Sequence, residues 1–114
     1  MHTRSVVTDH FGLLNEEEKK DWIADGPRVI KLMRTMTDDV LKLTADIRRA
    51  YRTKPISWMK ATFEPRLKSF RDQSKWFTNQ LRRHPAVIYR PEFIEMELVV
   101  KTLLALLVKV QTNA

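Results

Sequence analysis

Lys68, Arg71, Lys75 and Arg82 run beside a second set of residues, Phe63, Leu67, Phe70, Ser74, Phe77 and Leu81, that alternates steps of four and three. On a helix one residue is a rotation of about 100°, so these cations border the apolar face instead of opposing it. The chemistry open to such an edge is recognition. Ammonium and guanidinium groups select carboxylates or phosphates, and the apolar face supplies contact area. Trp76 and Arg83 join the set, because tryptophan and arginine dominate binding hot spots. The expected partner-binding residues are therefore Lys68, Arg71, Lys75, Trp76, Arg82 and Arg83, and the expected partner is an acidic or aromatic-containing protein segment.

Catalytic chemistry has no comparable constellation. His2, His10 and His84 are far apart, with no i,i+4 pair and no carboxylate at ligand spacing, so no metal site is expected. His84 ends an expected helix, where the dipole favours a cation. Asp38-Asp39 and Glu16-Glu17-Glu18 fall on an expected solvent face and at a helix start, whereas acid–base work needs one carboxyl buried. Gly12 and Gly26 are the only glycines, too few and too far apart for a phosphate-cradling loop. No enzyme activity and no cofactor are expected.

The elements that position the stripe follow from composition. With 114 residues the chain suits one domain with one core, and two glycines leave few sites for tight positive-φ turns, so long helices are expected. Zero cysteines fit a reducing compartment. Met1-His2-Thr3-Arg4-Ser5 lacks the apolar run of a secretory signal, and the expected location is intracellular. The net charge of +7 is uneven: residues 1–25 carry −3, 26–54 carry +5, 55–90 carry +6 and 91–114 carry −1. A central positive field suits nucleic acid, anionic membrane or an acidic peptide without choosing between them, and charge also serves solubility alone. A basic nucleic-acid-binding domain is thus the first alternative function.

The expected fold is all-α, a compact bundle of about four helices. Residues 1–12 read as a loose arm onto which Val6, Val7 and Phe11 could dock, and 13–114 as a single helical-bundle domain. Asn15 with Glu18 forms a capping box that starts a short helix over about 15–25, with Trp22 and Ile23 buried and an end before Gly26-Pro27. A long helix over about 27–52 follows from Val29, Met33, Met36, Val40, Leu43, Ile47 and Ala50 in unbroken four-three steps. This pattern fits bundle core better than a coiled coil, given only about three heptads. Pro55 breaks it, 56–62 reads as a short turn of helix carrying Trp58 and Met59, Glu64-Pro65 as a kink or the first turn of the stripe helix, and that helix covers about 64–84. The segment from Pro85 to Pro91 is expected to be extended.

The final helix, about 91–110, differs in kind. From Phe93 to Val110, thirteen of eighteen residues are apolar, and Leu103-Leu104-Ala105-Leu106-Leu107-Val108 covers every face. Such a helix must be surrounded, and the expectation is that it is the central helix of the bundle. Homo-oligomerisation through residues 93–110 is the competing use. Lys101 and Lys109 interrupt the run too early for a bilayer span, so no membrane role is expected.

Phe77-Thr78-Asn79-Gln80-Leu81-Arg82-Arg83-His84-Pro85, followed by a helix with Leu98, Val99, Leu103 and Leu107, resembles the end of the TFIIS N-terminal (LW) domain and the related LEDGF integrase-binding domain. The resemblance covers about residues 77–108, and Leu81, Arg82, Arg83 and His84 match that family's Leu-Arg-Lys-His type turn. It implies a helical bundle that binds short, disordered, acidic and aromatic motifs of transcription and chromatin proteins, and hence a nuclear setting. The chain departs from the family in having no tryptophan in its final helix and a longer Pro85 to Pro91 linker.

Overall fold

A computed structural model describes residues 10–112. A 3-10 turn, His10–Leu13, leads into α1, Glu16–Thr53; α2 is Ile56–Arg83, a second 3-10 turn is Pro85–Tyr89, and α3 is Pro91–Thr112. The all-α expectation holds, but the described residues form three α-helices in place of about four, because the break expected at Gly26-Pro27 is absent, and a second absent break removes the separate turn expected over 56–62. Of the arm expected over 1–12, residues 10–12 lie in the first turn, and the positions of Val6 and Val7 fall outside the described residues.

The first absent break is at Gly26-Pro27. The capping box forms as expected: the Asn15 side chain accepts from the Glu18 amide at 2.8 Å and Glu18 Oε1 accepts from the Asn15 amide at 2.9 Å. The helix then continues through Pro27 for 38 residues. Pro27 removes one amide and orphans the carbonyl of Ile23, but both residues lie on the exposed face, where water can satisfy it. Ile23, expected to be buried, is 68% exposed for the same reason. Gly26 is buried under Trp22, and a Cβ there would sit 2.7 Å from Trp22 Cε2. This glycine is a packing residue, not a helix stop.

Pro65 repeats the pattern. It and Ala61, whose carbonyl it orphans, are both exposed, so the helix expected over 64–84 begins instead at Ile56 and absorbs the separate turn at 56–62. Pro55 does act as a break: the Lys54 amide closes α1 on Ala50 O at 2.8 Å, and proline has no amide to carry the ladder on.

The central helix is α1, not the apolar C-terminal one. Val29, Met33, Met36, Val40, Leu43, Ile47 and Ala50 are all buried. Thr37 and Thr44 share this face and donate their hydroxyls to Met33 O and Val40 O, so no buried hydroxyl there is wasted. Both later helices pack on α1 while their own backbones barely approach each other. The expected compact bundle is therefore an elongated slab, 54 × 29 × 19 Å, with a radius of gyration of 17.1 Å against about 13 Å for a compact domain of this length. Between α2 and α3 the chain is not extended as expected. The 3-10 turn instead drives Val87, 0% exposed, into the core beside Trp22, Met33 and Phe77.

Candidate functional site

The stripe helix α2 is one continuous rod. Phe63 and Phe77 are buried, while Leu67, Phe70, Ser74 and Leu81 are partly buried along the same line. That inward face fixes where everything else points. Lys68, Arg71, Lys75 and Arg82 fall along one flank, and all four are exposed. Among the described residues none of the four forms an ion pair, although Asp72 is within one turn of Lys68, Arg71 and Lys75. Their charge is unspent.

The other two expected residues are placed differently. Trp76 is 40% exposed, but one residue beyond Lys75 it is rotated about 100° further round, away from the cationic flank. Arg83 is exposed but paired with α1: its Nε lies 3.0 Å from Asp25 Oδ2, and its Nη2 lies 4.0 Å from Asp21 Oδ1. Four of the six expected residues thus share one surface, and Trp76 and Arg83 stand apart from it.

The flank extends further than the sequence reading placed it. Because α2 starts at Ile56, Glu64 and Lys60 continue the same line one and two turns before Lys68. The four-residue spacing of Lys60, Glu64 and Lys68 was a visible signal, masked by reading Pro65 as a boundary. Here α2 faces α3 across a cleft of about 340 Å³ lined by Ile47, Ile56, Met59, Lys60, Phe63, Glu64, Leu67, Leu107, Val110 and Gln111. Seven of these ten are apolar, and the polar three stand at the rim. An apolar trough of this kind can take a hydrophobic or aromatic side chain, while Lys60 at its rim and the cations further along α2 meet carboxylates that extend beyond it.

No family model, curated protein or solved structure matches this chain. Its surfaces must speak for themselves, and two others are charged or polar enough to compare with the cleft. At the end of α1, Arg48, Arg49, Arg52 and Lys54 cluster near Trp58, whose ring lies 5.1 Å from Lys54 Nζ. Asp46 neutralises part of this group: it pairs with Arg49 and accepts from Arg66 Nη1 at 2.8 Å. The Arg66 hydrogen bond, with the charges of Arg66 and Arg49, holds the Asp46 carboxyl below the ordinary range against the opposing effect of desolvation.

The second is a polar knot at the opposite end. Trp22 is packed edge-on by His10 at 4.7 Å and by His84 at 5.4 Å, and Arg90 lies 5.7 Å from its ring. Arg90 Nε donates to Glu92 Oε1 at 2.8 Å, and Arg34 reaches Glu92 Oε2 at 3.5 Å. Burial pushes the Glu92 carboxyl up, but the hydrogen bonds and the two guanidinium charges outweigh it and lower its pKa. Arg34, Arg90, Glu92 and His84 are each engaged by a neighbour within the fold, which reads as a fastening of the first turn and α1 to the connection between α2 and α3. Among the described residues no three His, Asp or Glu side chains gather as a metal site.

Proposed function

We propose that this chain is a non-enzymatic protein-interaction module that takes a short acidic, aromatic-bearing segment in the cleft between α2 and α3. The observation that carries the reading is an apolar trough formed by Met59, Phe63, Leu67, Leu107 and Val110, with Lys60 at its rim beside Glu64 and the unpaired Lys68, Arg71 and Lys75 exposed further along the same helix. An aromatic side chain seated in the trough supplies most of the affinity. Exposed ion pairs add only about 0.2–1 kcal/mol each, so the cations act through on-rate and choice of partner. Lys68 to Lys75 spans about 10 Å of helix at 1.5 Å per residue, which sets the spread of carboxylates that fits. A place in transcription or chromatin regulation rests on the short resemblance around Leu81-Arg82-Arg83-His84 alone, and nuclear location rests on the same residues.

The test is an array of acidic aromatic peptides probed with the protein and with its Lys68→Glu/Arg71→Glu variant. Binding that weakens at least tenfold in the variant, with helicity by circular dichroism unchanged, supports the reading; equal binding removes the cationic flank from it. A duplex or single-stranded oligonucleotide serves as the comparison. Affinity for it that exceeds the peptides' and falls steeply with salt would move the chain to the nucleic-acid class.

A further inference from the structure

Helix α3 carries a second apolar face that the bundle does not cover. Met96, Leu103, Leu106 and Val110 are buried against α1 and α2, whereas Ile94 is 44%, Leu98 61%, Leu104 51% and Val108 62% exposed. Ile94, Leu98, Lys101, Ala105, Val108 and Thr112 step alternately by four and three, so they form one straight seam on the side of the helix away from Leu103. Its period is that of a two-helix contact.

The charges beside the seam identify what covers it. Glu95 and Lys109 flank the seam on the same side, and among the described residues neither forms an ion pair. They are 14 residues apart, about 21 Å along the helix, and cannot meet within one copy. Thr102 lies midway between them. An antiparallel second copy related by a two-fold axis at the level of residues 102–103 brings Glu95 of each chain within reach of Lys109 of the other, because like flanks meet in antiparallel pairs. The same register sets Leu98 on Val108 and Lys101 over the small Ala105. Lys101 keeps its own partner there, Glu97 Oε1 at 3.8 Å. A parallel copy would instead oppose Lys101 to Lys101 in the middle of the seam and leave Glu95 and Lys109 apart.

We propose that this chain forms an antiparallel homodimer through the outer face of α3. The contact is separate from the cleft between α2 and α3 and does not rest on the function proposed for it. Light scattering over a wide concentration range should report a particle of twice 13.5 kDa that dissociates on dilution. Leu98→Glu with Val108→Glu should give a monomer of unchanged helicity, since both side chains are exposed within one copy. Glu95→Lys should weaken dimerisation about tenfold by setting like charges together, and Glu95→Lys with Lys109→Glu should restore it. Direction is read by oxidation, because the chain has no cysteine of its own. A mixture of the Leu98→Cys and Val108→Cys variants should cross-link as the mixed dimer. A monomer at every concentration overturns the proposal, as does cross-linking of Leu98→Cys with itself in preference to the mixed pair.

Discussion

Nε2 of His84 lies 2.9 Å from Oδ2 of Asp25, 59 positions earlier in the chain. The same carboxylate accepts from Arg83 Nε at 3.0 Å, and Trp22, one turn before it on α1, packs edge-on against the His84 ring. One turn of α1 therefore holds the last residues of α2, and His84 is both the C-cap of that helix and its tether. The contact fastens the end of α2 to α1, while the buried line of Phe63 and Phe77 sets the rotation that points Lys68, Arg71 and Lys75 outward.

The tether makes stability depend on acid. The His84 hydrogen bond, with the charges of Arg83, His84 and Arg28, lowers the Asp25 carboxyl from its ordinary value against desolvation. A carboxyl whose folded pKa is depressed stabilises the fold fully above its unfolded pKa, about 3.9, and loses that contribution as pH falls through the folded value. Asp46 and Glu92 are lowered too and act in the same direction. Urea unfolding at stepped pH should show stability falling below about pH 4, with a shallower fall in Asp25→Asn. Identical slopes for the two proteins would show that the tether is not the sensor.

Gly26→Ala should destabilise, against the trend of helix propensity. Alanine gains about 1 kcal/mol over glycine inside a helix. The added Cβ would sit 2.7 Å from Trp22 Cε2, and that ring is held between His10 and His84 and cannot retreat. Overpacking of this kind costs about 1–3 kcal/mol, so a net loss is expected in denaturant melts. A gain in stability would mean that the ring moves freely.

Arg82 and Arg83 are neighbours that should separate by assay. Arg83→Ala breaks the contact with Asp25 and should lower the unfolding midpoint by a small, measurable amount. Arg82 is exposed and pairs with nothing among the described residues, so Arg82→Ala should leave the midpoint where it is. Equal effects on stability would contradict a role for the Arg83–Asp25 pair.

Leu103 and Leu104 give a second contrast between neighbours. Leu103 is 0% exposed, and Leu103→Ala should cost about 2–5 kcal/mol of stability. Leu104 is 51% exposed, and Leu104→Ala should cost less than about 1 kcal/mol when measured at low protein concentration.

Pro65→Ala should stabilise α2. Alanine restores the hydrogen bond to Ala61 O and is about 3 kcal/mol better than proline inside a helix, of which about 0.4–1 kcal/mol is lost to the greater freedom of the unfolded chain. A thermal midpoint that falls would mean that α2 depends on a kink at this position.

The four-three repeat from Val29 to Ala50 and the Asn15–Glu18 capping box were legible because each is a local property. Burial period and cap chemistry operate within a few turns of one helix. The cationic flank was legible for the same reason, since the rotation between Lys68, Arg71 and Lys75 depends only on there being a helix. Gly26-Pro27 misled as a stop and Glu64-Pro65 as a helix start, because an exposed proline inside a helix leaves its orphaned carbonyl to water, and exposure is not written in the local sequence. Arg83 and Trp76 misled because their neighbours in sequence do not say which of them meets Asp25 or turns away from the flank.

The amino-acid sequence by itself determined the class of the molecule: helical, positively charged in its middle, and stocked with a core that repeats at helical period. Tertiary structure alone decided which helix became the centre, which cations stayed unpaired, and that α2 and α3 part to leave a cleft. The physical reason is that periodicity sets the direction of a side chain about its own helix, whereas its partner is set by how helices far apart in the chain are docked. For α3, apolar on every side, periodicity could not even choose the buried face. Packing on α1 chose it, and left Leu98 and Val108 outside.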